Sequence, residues 1–147
     1  MKHVIVGAVM FGAVSASAAF AAGQTFQGEL DPVPHDNSTR DNVVGIGAIS
    51  ATLSNGTLAV HGNFSGLSSA ATAAHLRMGA AMGVPGPVIG DLSATAAAEG
   101  EISGSVSLTA AQVAALKKGA LYIELDSAKA PDGNSWGWLE DPGANPR

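Results

Sequence analysis

Residues 108–139 read LTAAQVAALKKGALYIELDSAKAPDGNSWGWL, and their punctuation decides the fold. Thr109 stands as an N-cap with Gln112 three residues later, the spacing at which side chains and backbone donors satisfy each other in a capping box. Leu108 and Val113 take the positions of the hydrophobic staple. Lys117 and Lys118 complement the C-terminal dipole, and Gly119 suits the left-handed cap. The spacing predicts one short helix over 109–118. Directly after it the period changes to two. Leu121, Ile123 and Leu125 point one way, towards a core, while Tyr122, Glu124 and Asp126 point the other. Pro131-Asp132-Gly133-Asn134 reads as a turn. Beyond it Ser135 and Leu139 share one face, and Asn134, Trp136 and Trp138 share the opposite one.

Upstream, the chain is a series of short alternating runs. Residues 23–30 read as an opening strand with Phe26 as core anchor, followed by a Pro/Asp/Asn-rich loop over 31–42. Residues 45–54 and 57–64 flank Asn55-Gly56, a strong hairpin signal because both central residues of a type I′ turn need positive φ. In the second run Leu58, Val60 and Phe64 face one side, His61 and Asn63 the other. Residues 68–74 are small and carry no assignment, whereas 74–78 form a strand with His75 and Arg77 opposite Leu76. Residues 83–87 (GVPGP) are a turn, read as type II with Pro85 and Gly86 at its centre. Strands over 88–92 and 102–108 complete the inventory. One short helix among seven or eight short strands predicts an all-β protein, an antiparallel β-sandwich or barrel.

Residues 1–21 stand apart from that fold. Lys2 supplies a basic start, 4–14 is an apolar run too short to span a bilayer, and Ala19-Phe20-Ala21 fits a signal-peptidase site. Cleavage after Ala18 fits almost as well. The expectation is a cleaved signal peptide (1–21), one domain over 22–141, a flexible tail over 142–147, and a periplasmic or secreted protein. Loss of 1–21 removes Lys2 and no acidic residue, taking the formal charge from −5 to −6. That balance argues against nucleic acid and anionic lipid as partners, and no membrane insertion is expected after cleavage. With no cysteine there is no disulfide, no thiolate nucleophile and no lipoprotein anchor. Alanine makes up much of the 46% hydrophobic content, so the core is expected to use small residues.

If the strands are neighbours in one sheet, His75, Arg77, Tyr122, Glu124, Asp126, Trp136 and Trp138 form a single patch. Two indoles with a glycine between them suit a platform for a sugar ring or a partner protein. The plainer arrangement packs them over Tyr122 and the stem of Arg77. No Ser-His-Asp order, nucleophile elbow or isolated carboxylate dyad stands out, so no catalytic residue is assigned. Asp31, Asp36 and Asp41 lack calcium-loop spacing and read as a charged turn.

The runs 74–76, 86–88, 108–119, 121–123 and 131–133 together resemble the CHRD domain, first named from chordin and widespread in bacterial exported proteins. The resemblance spans residues 26 to about 139. It implies the same β-rich fold and export. CHRD sequences usually carry His-x-His where this chain has His75-Leu76-Arg77, and Asn-x-His-Thr/Ser where it has Glu124-Leu125-Asp126-Ser127. They end in Gly-Glu-Ile-Arg-Gly-x-Leu where it has Gly133-Asn134-Ser135-Trp136-Gly137-Trp138-Leu139. A histidine-rich face of that kind suits copper or zinc. Here only His75 of it survives, and Arg77 would repel a cation. The expectation is therefore a non-catalytic binding or structural module without cofactor, meeting an extracytoplasmic protein partner through the patch. The alternative is a copper- or zinc-binding protein using His75 with His61 or Asp126. In the simpler reading His75 is a hydrogen-bonded strand residue and Arg77 pairs with Asp126 or Glu124.

Overall fold

The structure, a computed structural model, describes residues 23–144. The expected signal peptide (1–21) lies outside the described residues, as do the last three positions of the expected tail. Eight strands and one helix follow in the order β1 (Gln24–Pro32), β2 (Ile46–Ser54), β3 (Thr57–Ser65), β4 (Ala71–Met78), β5 (Val88–Ala94), β6 (Gly100–Ser107), α1 (Ala110–Lys117), β7 (Leu121–Ser127) and β8 (Ala130–Trp138). Every pairing is antiparallel, and the ring β1-β2-β3-β6-β5-β4-β7-β8 closes on itself as a barrel. Among the described residues no helix is long and apolar enough to cross a membrane.

Two junctions of the ring are short. β1 meets β8 through Asp31↔Trp136 and Pro32↔Ser135, and β5 meets β6 through Ser93↔Ser103 and Ala94↔Ile102. They divide the barrel into two four-stranded halves, β1-β2-β3-β6 and β5-β4-β7-β8. Sandwich and barrel thus describe one object, two sheets joined along both edges. Between them lie Phe26, Leu58, Leu76, Ile102, Leu121, Ile123 and Leu125, all fully buried. Each such side chain contributes about 1.5–3 kcal/mol through removal from water. Alternation produces this layer directly: in β3, Leu58, Val60 and Phe64 are buried, while Ala59, His61 and Asn63 are exposed.

The local signals for two elements hold. Asn55 and Gly56 have φ of 51° and 75°, the paired positive values that an Asn-Gly hairpin needs. The Thr109 side chain accepts from the Gln112 amide, and the Gln112 side chain accepts from the Thr109 amide. At the other end Ala120 N donates to Ala115 O and Gly119 N to Leu116 O, with Gly119 at φ 77°, a complete Schellman motif.

Other boundaries differ from expectation. β4 begins at Ala71, inside the unassigned 68–74 stretch, and Asp31 belongs to β1. In the β4–β5 connection the positive-φ glycine is Gly83 (φ 81°), and Val84 N donates to Ala81 O, so the turn sits at 81–84 and not on Pro85-Gly86. The expected turn at 131–134 is also displaced. The chain reverses at Ala128-Lys129, and Pro131-Asp132-Gly133 bulges out of β8 where its register with β7 slips. Proline has no amide for the ladder and Gly133 has φ 130°, so the segment suits a bulge better than a paired strand.

The ring is completed beyond β8. Gln27 and Glu140 exchange backbone hydrogen bonds of 2.8 Å in each direction, in register with Asp31↔Trp136. The chains run close here because Gly28 has no side chain; a Cβ there would lie 2.5 Å from Trp138 O.

Candidate functional site

Strand register builds the site. His75 pairs with Glu124, which pairs with Trp136; Arg77 pairs with Tyr122, which pairs with Trp138. His75, Arg77, Tyr122, Glu124, Asp126, Trp136 and Trp138 therefore do share the outer side of β4-β7-β8. Much of this patch is closed to solvent, however. Tyr122 is 0% exposed, Glu124 8% and Asp126 7%, so β7 is buried on both of its faces. The cover is supplied by the neighbours' long side chains and by the connection after β4.

Those side chains are bonded chiefly to one another. His75 Nε2 lies 3.2 Å from Asp126 Oδ2, and its Nδ1 lies 2.9 Å from Asp91 Oδ1 on β5. Arg77 Nε is 3.2 Å from Glu124 Oε1, but the buried Nε–H meets no acceptor in hydrogen-bond geometry, so charge holds this pair. Arg77 Nη1 donates to Gly86 O at 2.9 Å. Gly86 also gives its amide to the Tyr122 hydroxyl (3.0 Å), so the β4–β5 connection is tied down over the site. Burial pushes the Glu124 carboxyl up to about 7 against the pull of Arg77, with the Asp126 charge adding to the rise. Burial likewise raises Asp126, opposed chiefly by His75. Asp126 Oδ1 is buried without a hydrogen-bond partner, and a protonated Glu124 is placed to donate to this carboxylate.

Beside this network is an aromatic cluster. Trp138 stacks on Tyr122 (centroids 4.3 Å apart, planes at 29°), and Trp136 meets both rings edge-on at 5.8 and 5.3 Å. Such contacts add about 0.5–1.5 kcal/mol each beyond area burial. The indoles pack over Tyr122 as the plainer reading had it, yet both remain half-buried. They wall an open groove whose floor is the outer side of β1, β2 and β3, with Gln27, Glu29, Ser50, His61 and Asn63. Lys117, Lys118 and Glu140 stand on its rim.

His61 is on β3, and both β6 and β5 intervene before β4, so His61 does not join His75 and Asp126. Among the described residues no three His, Asp or Glu side chains are arranged to hold a metal ion. Both His75 nitrogens already face carboxylates.

Sequence reasoning missed three participants. Asp91, which no motif in the sequence singles out, bonds His75 because β5 pairs with β4; only the register shows this. Asn134, expected beside the indoles, is fully buried, accepting from Ser127 Oγ and donating to Val44 O and Ser135 Oγ. The bulge at Gly133 reorients it. The groove floor was overlooked because β1 and β8 are remote in sequence.

The CHRD domain family model matches residues 25–134 of the chain. No match is found among curated proteins, and none among solved structures. The chain belongs to the CHRD domain family.

Proposed function

We propose that this CHRD-family barrel is a non-catalytic module that docks a protein partner outside the cytoplasm, using the Trp136/Trp138 side of the barrel. The observation that carries this reading is the pair of half-buried indoles, fixed against buried Tyr122 and bordering an open groove. Rigid aromatic side chains with an exposed edge supply contact area at little entropic cost, which is why such residues anchor interfaces. The ionic side chains behind them support the same reading. Glu124 and Asp126 are buried and engaged by Arg77 and His75, so they act as framework for the aromatic layer. Export rests on the signal-like residues 1–21.

Cross-linking of the purified chain in an extracytoplasmic extract tests the proposal. A discrete adduct should form with wild type and be lost with Trp136→Ala, while the thermal melt stays cooperative. An adduct indifferent to both Trp136→Ala and Trp138→Ala would remove the indoles from the interface.

A further inference from the structure

The outer side of β1 places carboxylates against indoles, and the fold makes no ionic use of them. Glu29 and Asp31 are exposed on either side of buried Leu30. Asp31 faces Trp136 across the β1–β8 junction; carried on to Gln27↔Glu140, the same register sets Glu29 opposite Trp138. Glu140 is exposed at the end of that row. Among the described residues every ion pair lies elsewhere: Arg40 with Asp41, His75 with Asp91 and Asp126, and Arg77 with Glu124. Glu29, Asp31 and Glu140 therefore have no described cation within 4 Å.

An indole face carries negative π-density and attracts cations, above all guanidinium. A carboxylate beside it gains nothing from the ring, but a cation seated between them is favoured by both. We infer that the groove recognises a Lys/Arg-rich segment of the partner, its cations lying between Glu29/Asp31 and the Trp136/Trp138 wall. This rests on the docking reading above and adds the partner's chemistry to it. Lys117 and Lys118, exposed at the end of α1, also line the groove and repel the same cations, so the segment is favoured at the Glu29/Asp31 side. A glycan would use the indoles without needing the carboxylate charge, so salt and charge variants separate the two.

The test titrates the full chain with nona-arginine, following tryptophan emission at low and high salt, beside a neutral Gly/Ser peptide and a neutral oligosaccharide. Nona-arginine should quench emission, bind about tenfold more weakly to Glu29→Gln/Asp31→Asn, and weaken at least as much when salt is raised to about 0.5 M. The double variant Glu99→Gln/Asp132→Asn removes the same charge away from the groove and should bind as wild type. Equal binding by the groove variant, equal loss in the distant one, or a preference for the oligosaccharide overturns the inference. A protein adduct lost in Trp136→Ala but indifferent to Glu29→Gln/Asp31→Asn sinks the basic partner and leaves the docking reading standing. Groove-dependent nona-arginine binding with no Trp136-dependent adduct keeps the preference for cations and removes the protein partner.

Discussion

Glu124 carries the least favourable charge in the barrel. Its carboxyl is raised from 4.5 to about 7, mainly by burial, and Asp126 is raised for the same reason. Folding therefore takes up protons between those two values. The stability this contributes is full below about 4.5 and is lost as pH rises through about 7. The groups that face Glu124 and Asp126 are Arg77 and His75 on β4, with Asp91 behind His75. Asp36, lowered by hydrogen bonds from Ser38 and Thr39, has the opposite sign, and its effect falls below 3.8, outside this window. The melting temperature of wild type should rise as the pH falls from 8 to 5, and Glu124→Gln should flatten that slope. A slope unchanged in Glu124→Gln would refute the assignment. That Arg77 meets a β7 carboxylate was legible from strand alternation, which left Glu124 and Asp126 both open as the partner. Asp91 and Asn134 were not, because a register between distant strands and a bulge leave no trace in periodicity.

Among the elements, the hairpin and the seam make opposite demands on glycine. Gly56 sits at φ 75° with only Leu108 O (3.8 Å) near a Cβ, so Gly56→Ala costs the conformational strain alone, about 1 kcal/mol. Gly28 has no such φ, but a Cβ would meet Trp138 O at 2.5 Å, and Gly28→Ala must push β1 and β8 apart at about 2–3 kcal/mol. Urea unfolding should rank Gly28→Ala as the more damaging; the reverse order would show that the seam yields freely. Asn55-Gly56 and Thr109–Gly119 were readable because their determinants lie within a few residues. Pro85-Gly86 and Pro131-Asp132-Gly133 misled because proline and glycine mark irregular backbone without saying whether it turns or bulges.

At the scale of the molecule, the two short junctions set where the ring is weakest. Glu140 reinforces one of them, outside every named strand. Ending the chain at Leu139 removes both 2.8 Å bonds with Gln27, and chemical denaturation should show a loss of about 1–3 kcal/mol. No measurable loss would mean that Asp31↔Trp136 and Pro32↔Ser135 suffice for closure. The all-β class was legible in the sequence, since alternation and one capped helix are local properties. Strand order was not: β3 beside β6 and β4 beside β7 join strands remote in sequence within each half, which local alternation does not encode.

The closed ring has a consequence for how the domain can be combined with others. Gln24 Nε2 donates to Asp141 Oδ2 at 3.0 Å, so the first strand and the segment after the last leave the barrel side by side. A domain with adjoining ends can be spliced into a surface loop of a host, or strung in tandem, without drawing either end strand out of place.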